Sequence, residues 1–429
     1  MLKRKFDLEL AEWEKSGSSN VLVVEGIRQC GKTMTVRRFA EKNYGKVLWL
    51  DFRGDPRAKE VAGATGSVSY MNLLLTAGYG VNLEEDGILI LDQLDVVDPK
   101  ALAQLLSIYR KDGHYPLIAI TGKNQVDPEE MQRLGIPVKT MWPLDFEEFL
   151  WAAGAEENTG ETLRECLQEK KPVPDKLHQF MEQTLFRYIT VGGFPAAVEA
   201  YLKSEAYQDA HAVLQQMRDS VQQDFEARFT RIRSKNMMLV MDSIPVHLAE
   251  DYKKFQFNKV GGNGSGSRFE QDVVEAEKLG YLYRCFNLKE PWIREDTIQS
   301  GNYMALLSDI GWYMASIPAY FSEKALCRDF SGRDHAILQS LFADFLAKAG
   351  KSMYYYRRRS GMTIDLVLPG EQGSVVVEFL HKGNDKAART ILMEEPERVE
   401  KGIIFGSWNI EEKERMLCLP WYMGYFLLT

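Results

Sequence analysis

The chain has 429 residues, of which 45% are hydrophobic and 27% are charged, and its formal net charge at pH 7 is −8. This composition is ordinary for a protein with a buried core, and it excludes a disordered chain, a collagen or a coiled coil as the main architecture. The acidic balance argues against broad electrostatic binding to DNA, which needs a basic surface. The five cysteines are scattered and form no C-x-x-C pair, so the sequence predicts neither a disulfide framework nor a zinc site.

Membrane insertion and secretion are not expected from the sequence. Apolar runs such as Ile88–Leu91 have the length of a strand and fall far short of the roughly 20 residues that a membrane span needs. The charged stretch Met1–Asp7 is not followed by the apolar core of a signal peptide. We therefore expect a cytoplasmic protein that makes no contact with a membrane.

Short apolar segments alternate with helical patterns in the first third of the chain. The apolar segments are rich in Val, Ile and Leu, which is typical of parallel strands covered on both faces. The predicted strands are Asn20–Glu25, Lys46–Asp51, Gly87–Asp92 and Pro116–Thr121, and the predicted helices between them include Thr33–Asn43 and Pro99–Lys111. This alternation predicts an α/β fold with a parallel sheet that ends near Trp142.

A glycine-rich loop follows the first predicted strand. The segment 26–33 reads GIRQCGKT and matches the pattern G-x-x-x-x-G-K-[ST] between a strand and a helix. In such a loop the backbone N–H groups face phosphates, and the N-terminus of the helix adds a partial positive charge. Lys32 is expected to reach the β- and γ-phosphates, and the Thr33 hydroxyl to bind Mg²⁺. The candidate nucleotide-binding residues of this loop are Gly26, Ile27, Arg28, Gln29, Cys30, Gly31, Lys32, Thr33 and Met34.

An acid stands at the end of the third predicted strand. Asp92 follows four apolar residues and lies at the carboxyl edge of the sheet, where ligands bind in open parallel sheets. We expect Asp92 to hold the magnesium ion together with Thr33. The alternative is an Asp that caps the following helix.

The residue after Asp92 determines the expected rate of hydrolysis. P-loop ATPases of the additional-strand type place a Glu there to orient or deprotonate the attacking water, whereas this chain has Gln93. A Gln side chain can position a water molecule but cannot accept its proton. Asp95 lies two residues further on, and on an extended backbone it would point the same way as Gln93. Lys32, Asp92, Gln93 and Asp95 are the candidate catalytic residues, and both hydrolysis and its absence remain open.

The fourth predicted strand ends in the sequence TGKN. A polar residue at this position would contact the γ-phosphate, and Thr121 and Asn124 are the candidates. The alternative is an ordinary turn at the end of a strand.

The remaining chain divides by pattern into three parts. Residues 143–231 are helical and are interrupted at Gly192-Gly193. Residues 232–325 contain helices, a Gly/Ser loop at 261–266, a helix at 268–279 and a strand at 281–286, which is the order of a winged helix. Residues 326–429 begin with an amphipathic helix at 335–349 and continue with strands at 353–358, 364–368, 374–379 and 402–405.

Five motifs carry a resemblance to a known family. They are GIRQCGKT at 26–33, LDQLD at 91–95, TGKN at 121–124, PLDFEEFL at 143–150 and GGFP at 192–195. In this order they resemble a large family of prokaryotic AAA-type ATPases, close to the archaeal and STAND-like ATPases. The resemblance covers nearly the whole chain and is loose after about residue 330.

The resemblance implies an ATP- and Mg²⁺-binding domain followed by a lid and two further parts. The expected domains are a P-loop ATPase domain at 1–142, a helical lid at 143–231, a winged-helix-like domain at 232–325 and a degenerate restriction-endonuclease-like domain of the PD-(D/E)XK type at 326–429. In STAND-like relatives a G-x-P motif in the lid puts its proline near adenine, which makes Pro195 a candidate for contact with the base. The alternative is a helix boundary made by Gly and Pro.

The nuclease pattern of the last domain is incomplete. Asp365 and Glu378 occupy two of the metal-binding positions that the resemblance implies, whereas Leu380 replaces the lysine and Gln339 the acid on the helix. His381 and Lys382 follow, but Lys382 comes two residues too late. We therefore expect a domain used for binding rather than an active nuclease.

The presumed recognition helix of the winged-helix part argues against DNA reading. It carries more acids than bases, which would repel phosphate, whereas the lysines at 253, 254 and 259, before the Gly/Ser loop, could touch a phosphate backbone. Protein contact or domain packing is therefore the favoured role. The sequence predicts an ATPase or ATP-dependent switch with slow hydrolysis, and a protein partner or self-association. The alternatives are an ATP-binding regulatory module without turnover and a nucleic-acid-processing protein.

Overall fold

A computed structural model describes residues 2–63, 67–81, 83, 86–251, 253–261, 267–328, 335–380 and 386–429. The chain forms two compact units. The first unit comprises Met1–Pro143, Asp219–Ser234 and Lys278–Gly280, and the second comprises Leu144–Arg218, Lys235–Glu277 and Tyr281–Thr429. Within the described residues, none of the helices combines the length and the apolar character that a membrane crossing requires.

The first unit is built around a five-stranded parallel sheet. Its strands are β1 (Val21–Glu25), β2 (Lys46–Asp51), β3 (Gly87–Asp92), β4 (Leu117–Thr121) and β5 (Val138–Thr140). The strand order is β2-β3-β4-β1-β5, so β4 lies between β1 and β3. The helices are α1 (Phe6–Ser16), α2 (Lys32–Asn43), α3 (Pro56–Gly63), α4 (Val68–Tyr79), α5 (Pro99–Asp112) and α6 (Pro128–Arg133). This is the α/β fold of a P-loop NTPase.

The first four strands confirm the sequence prediction to within one residue. Every residue of β1, β3 and β4 is buried, as expected for central strands covered on both faces. The three-residue strand β5 was not predicted, because it is too short and too partially exposed to give an apolar run. The carboxyl ends of β1, β3 and β4 bring the P-loop, Asp92 and Thr121 to one edge of the sheet.

The second unit is built around an eight-stranded mixed sheet with the order β12-β13-β11-β10-β9-β8-β6-β7. Its strands are β6 (Leu282–Leu288), β7 (Ile298–Leu307), β8 (Met353–Arg357), β9 (Thr363–Pro369), β10 (Ser374–Phe379), β11 (Val399–Gly406), β12 (Glu411–Lys413) and β13 (Met416–Pro420). The remaining helices are α7 (Phe146–Ala152), α8 (Thr159–Gln168), α9 (Asp175–Val191), α10 (Pro195–Ser204), α11 (Tyr207–Arg228), α12 (Arg231–Leu248), α13 (Ser267–Lys278), α14 (Ile310–Ala315), α15 (Tyr320–Leu326), α16 (His335–Lys348), α17 (Lys386–Glu394) and α18 (Met423–Leu428).

The part expected to be a winged helix is continuous with the sheet that follows it. Helices α12 and α13 precede the hairpin of β6 and β7, as the pattern predicts, but β6 also pairs in parallel with β8. The expected boundary between 325 and 326 therefore falls within one sheet. Pairing between strands about 70 residues apart leaves no local signature, so the sequence pattern could not indicate it. Residues 262–266 of the Gly/Ser loop lie outside the described residues.

Helix α16 is buried on all sides, so the expectation of an amphipathic helix is wrong. All residues from Ala336 to Ala347 are buried, including Gln339 and Asp344. A helix surrounded by protein has no polar face, and its polar residues then need partners inside the core.

Asp344 finds its partners in a buried ionic cluster of the second unit. The Lys348 ammonium donates hydrogen bonds of 2.8 Å to the Tyr188 hydroxyl and 2.9 Å to the Leu144 carbonyl oxygen, and it lies 2.8 Å from an Asp344 carboxylate oxygen. Asp309 lies 3.7 Å from the same ammonium and accepts a 2.8 Å hydrogen bond from the Gly193 N–H. The cluster thus ties the GGFP and PLDFEEFL motifs into the fold of this unit.

Candidate functional site

The backbone of the P-loop requires glycine at two positions. A Cβ atom on Gly26 would collide with the Met141 carbonyl oxygen, and Gly31 adopts a left-handed φ of 102° at the start of α2. The buried Cys30 thiol lies between them and donates to the same Met141 carbonyl at 3.2 Å. These contacts hold the loop at the edge of the sheet, against the residues that follow β5.

Lys32 and Thr33 begin helix α2 and face the carboxyl edge of the sheet. The Lys32 ammonium donates hydrogen bonds of 2.8 Å to the carbonyl oxygens of both Gly26 and Ile27. The Thr33 hydroxyl donates to Oδ2 of Asp92 at 3.1 Å. The structure therefore brings together the predicted P-loop threonine and the predicted strand-end acid, although β1 and β3 are not neighbours in the sheet.

Asp92 is 3% exposed, and burial raises the pKa of its carboxyl group above the usual value. The hydrogen bonds from Thr33 and the Gln93 N–H, together with the charge of Lys32, act in the opposite direction. A divalent cation next to this carboxylate would favour its charged form. A buried acid paired with a threonine hydroxyl is thus a suitable ligand pair for a hard cation such as Mg²⁺.

Gln93 and Asp95 do not lie on an extended backbone, so the two side chains are not aligned by strand geometry as expected. Gln93 has a left-handed φ of 59°, and a 3-10 turn follows at Leu94–Val96. Asp95 nevertheless lines the same pocket, where one of its carboxylate oxygens lies 2.6 Å from the guanidinium of Arg53. The tertiary fold, rather than strand geometry, places Asp95 near the candidate site.

The two candidates at the end of β4 have different surroundings. The Thr121 side chain is 1% exposed and lines the pocket, and among the described residues its hydroxyl has no hydrogen-bond partner. Asn124 is exposed, has a left-handed φ of 58°, and uses its backbone N–H to bond Glu25. Thr121 therefore lines the pocket, whereas Asn124 is not among the residues around it, and contact of either with a γ-phosphate stays a prediction.

These side chains surround a pocket of about 310 Å³ in the first unit. Its size is at the lower end of the range for small-molecule sites. The predicted residues that line it are Arg28, Gln29, Lys32, Thr33, Asp92, Gln93, Asp95 and Thr121. The predicted binding residue Met34 is 56% exposed on α2. The residues present fit Mg²⁺, since the Thr33 hydroxyl and the Asp92 carboxylate are in contact in the wall of this pocket.

Four residues that line the pocket were not among the predicted site residues, and two of them, Ile120 and Gly122, simply flank the predicted Thr121. Ser220 and Asp224 lie near the end of α11, about 190 residues after the P-loop, and both line the pocket. The sequence pattern assigned this region to a helical lid, and no motif marks either residue. Only the return of Asp219–Ser234 to the first unit brings them to the site.

Pro195 belongs to the second unit and occupies the first turn of α10. It follows the buried Phe194 and the Gly193 N–H that bonds Asp309. Proline is favoured in the first turn of a helix because it has no N–H to leave unpaired. This role at the start of α10 accounts for a proline at position 195. Contact of Pro195 with adenine stays a prediction.

The second unit contains a larger cavity, of about 1290 Å³, lined by both acids of the predicted nuclease pattern. Asp365 is 7% exposed, lies 3.1 Å from the His335 ring and accepts a 2.9 Å hydrogen bond from the Phe379 N–H. Glu378 is 6% exposed and accepts a 2.8 Å bond from the Ala388 N–H. Gln339 also lines the cavity, and its side-chain oxygen has no partner among the described residues.

Lys253 supplies this cavity with a cation that the sequence analysis did not place there. Burial lowers the pKa of Lys253, and the negative charge of Asp365 opposes this shift. Leu380 lines the cavity at the position where the nuclease pattern has its lysine. His381 and Lys382 lie outside the described residues. In the part of the chain that the structure describes, no three His, Cys, Asp or Glu side chains form a group that could hold a metal ion.

Lys259 and helix α13 of the winged-helix part have partners within the second unit. Lys259 pairs with Glu250, and Glu277 of α13 pairs with Arg284 at 2.6 Å. Asp272 on the same helix is buried. These contacts are typical of packing inside the second unit. Whether this part touches nucleic acid or a protein stays a prediction.

Two family models match parts of the chain. A model described as an AAA domain matches residues 18–150, and a model described as a domain of unknown function (DUF8612) matches residues 182–318. A search of curated proteins gives no significant match. The AAA match covers the sheet, the P-loop and Asp92, so sequence comparison and geometry agree on this part of the chain.

Among solved structures, the Walker-type ATPase of Pyrococcus abyssi is 13% identical, with a TM-score of 0.39 and coverage of 74% of this chain and 96% of that one. PCH-2 of C. elegans is 12% identical, with a TM-score of 0.26 and coverage of 50% and 60%. A STAND protein with a tetratricopeptide repeat sensor from Pyrococcus horikoshii is 12% identical, with a TM-score of 0.28 and coverage of 81% and 47%. The AAA match and the observed sheet support a P-loop ATPase domain at residues 18–150.

Proposed function

We propose that this protein binds Mg·ATP in the pocket of the first unit, hydrolyses it slowly and acts as an ATP-dependent switch. The observation that carries the proposal is the 3.1 Å contact between Thr33 and Asp92 beside the P-loop lysine. A P-loop threonine and a strand-end acid are the two protein groups that such sites use to hold magnesium. The AAA match over residues 18–150 supports the same assignment.

Each pocket residue has a role that follows from its position. Lys32 exchanges its loop carbonyl partners for the β- and γ-phosphates, and the N-terminus of α2 faces the phosphate oxygens. Thr33 and Asp92 hold Mg²⁺, which neutralises charge on the phosphates when it is bound. The Thr121 hydroxyl donates to the γ-phosphate, since it is buried in the pocket wall and has no partner among the described residues.

Slow turnover follows from the residue next to Asp92. The Gln93 amide cannot accept a proton from the attacking water, and general-base catalysis typically contributes about 10²–10⁴-fold. Asp95 is the remaining carboxylate of the pocket wall near this position, and it is paired with Arg53. We therefore assign Asp95 the role of a weak substitute base.

The test is titration calorimetry of Mg·ATP against the purified wild type, Lys32→Ala and Lys42→Ala. Lys32→Ala removes the main cation facing the β- and γ-phosphates, and we expect binding to be lost. Lys42 lies exposed on the same helix, so its replacement is a matched control that keeps wild-type affinity. An unchanged affinity in Lys32→Ala would refute the assignment of the site.

For the second unit we propose a binding role on a restriction-endonuclease-like fold. Asp365 on β9, Glu378 on β10 and Gln339 on α16 line one cavity, which supports the predicted positions of the nuclease pattern. Without a third acid and a lysine at 380, this cavity is suited to binding rather than cutting. Cytoplasmic location and self-association stay predictions from the sequence.

A further inference from the structure

A segment distant in sequence closes one side of the P-loop pocket. We define the return segment as Asp219–Ser234, which belongs to the first unit although the residues on both sides of it belong to the second. The Arg28 guanidinium donates to the Ser220 carbonyl oxygen at 3.2 Å, and the Gln29 amide donates to the Ser220 hydroxyl at 2.6 Å. Two variable positions of the P-loop motif thus hold this segment directly.

Asp224 is the charged centre of the return segment. It is 2% exposed and lines the pocket that contains Lys32 and Thr33. One of its carboxylate oxygens lies 3.7 Å from the Arg28 guanidinium and 3.3 Å from that of Arg228. A buried carboxylate between two arginines is stabilised by them, and in the pocket it occupies space where a phosphate would meet the same cations.

Arg228 connects the return segment to the end of β4. Its side chain is 7% exposed, and one guanidinium nitrogen donates to the Lys123 carbonyl oxygen at 3.2 Å. The other terminal nitrogen packs against Gly122, where a Cβ atom would clash with it, and has no hydrogen-bond partner among the described residues. Arg228 thus holds Asp224 from within the same segment, whereas Arg28 holds it from the P-loop.

The charges of the pocket make Asp224 costly for nucleotide binding. The pocket wall carries the cations Arg28 and Lys32 and the acids Asp92, Asp95 and Asp224. Asp92 is needed for magnesium, whereas a carboxylate at 224 repels a triphosphate and withholds Arg28 from it. The carboxylate of Asp224 has a functional explanation if it competes with the triphosphate for Arg28.

We propose that Asp224 is an anionic latch that a triphosphate displaces. This inference rests on the proposed function of the pocket. The phosphates take over Arg28, and the return segment then loses its ionic attachment to the P-loop. Because the segment contains the end of α11 and the start of α12, its release acts on two helices whose other residues belong to the second unit. Nucleotide binding in the first unit is thereby linked to the second unit through the backbone of α11 and α12.

The first test compares Mg·ATP affinity in the wild type, Asp224→Asn and Asp219→Asn by calorimetry. Asp224→Asn removes the competing charge at nearly constant shape, and we expect binding about tenfold tighter. Asp219→Asn makes the same charge change at an exposed site of the same segment and keeps wild-type affinity. Ser220→Ala, which removes only the bond from Gln29, should tighten binding by a smaller factor.

The second test follows hydrogen exchange of residues 219–234 in the wild type. Adding Mg·ATP should speed exchange there if the latch is released. Unchanged or weaker binding in Asp224→Asn, or slower exchange on adding Mg·ATP, would overturn the latch while leaving the pocket assignment intact. Failure of the wild type and all variants to bind Mg·ATP would instead refute the proposed function, and the latch with it.

Discussion

The side-chain amide of Gln93 donates a 2.9 Å hydrogen bond to a carboxylate oxygen of Asp51, at the end of the neighbouring strand β2. The same oxygen accepts the backbone N–H groups of Arg53 and Gly54 at 2.9 and 3.0 Å. Asp51 and Asp92 are partners in the parallel register of β2 and β3. The residue that would activate water in a fast ATPase is therefore an amide held by a carboxylate on the next strand.

Replacing Gln93 by Glu should raise the rate of ATP hydrolysis. A carboxylate at 93 would be repelled by Asp51, to which the amide now donates, and would turn towards the pocket. The gain should reach up to about 10²–10⁴-fold, the usual contribution of a general base. Phosphate release at saturating Mg·ATP measures the effect, with the exposed Gln132→Glu on α6 as a matched control. A wild type that already turns over several times per second would contradict this account.

Asp95→Asn should lower the residual turnover of the wild type by about 10–100-fold, since no other carboxylate near Gln93 is proposed as a base. Its affinity for Mg·ATP should change little, because Asp95 is paired with Arg53 rather than assigned to the phosphates or magnesium. Single-turnover kinetics separate the two quantities. The exposed Asp112→Asn on α5 serves as the control. If Asp95→Asn hydrolyses at the wild-type rate, Asp95 is not the base.

The second unit should not cut DNA. Asp365 and Glu378 are both held by backbone N–H groups, and a site of two carboxylates binds Mg²⁺ weakly. Purified protein incubated with plasmid and linear DNA in Mg²⁺ or Mn²⁺ should leave both intact. The comparison is an Asp365→Ala/Glu378→Ala double variant. Cleavage by the wild type that the double variant lacks would establish nuclease activity and favour a role in nucleic-acid processing.

Asp344 should make the stability of the protein depend on pH. Burial raises the pKa of Asp344 to about 7, whereas an unfolded Asp has a pKa of about 3.9. The folded state therefore holds a proton that the unfolded state releases, so this contribution is complete below about pH 4 and is lost as the pH rises to about 7. Between about pH 5 and 6.5 the free energy of unfolding should fall by about 1.4 kcal/mol per pH unit from this group.

Chemical denaturation of the wild type and Asp344→Asn at several pH values tests this dependence. Asparagine cannot titrate, so the slope between about pH 5 and 6.5 should become less negative by about 1.4 kcal/mol per unit. The exposed Asp175→Asn on α9 should keep the wild-type slope. Parallel curves for the wild type and Asp344→Asn would show that Asp344 stays charged beside Lys348.

Local chemistry was enough to predict the parallel strands and the residues of the P-loop. Runs of Val, Ile and Leu are typical of strands that are buried on both faces. The geometry of a glycine-rich loop between a strand and a helix is imposed by the residues of the loop itself. The contact of Thr33 with Asp92 follows from the same information, since both stand at the carboxyl edge of one parallel sheet.

Only the tertiary structure decided what surrounds these residues. Asp224 reaches the P-loop from about 190 residues away, and Lys253, which belongs to no motif, joins Asp365 in one cavity. The left-handed backbone of Gln93 overrides the extended geometry that placed Asp95 beside it. The sequence by itself determined the elements and the chemistry carried by each one, because periodicity and turn chemistry act over a few residues. The contacts between elements that are distant in sequence depend on the packing of the whole chain. The pattern of a single segment does not indicate such contacts.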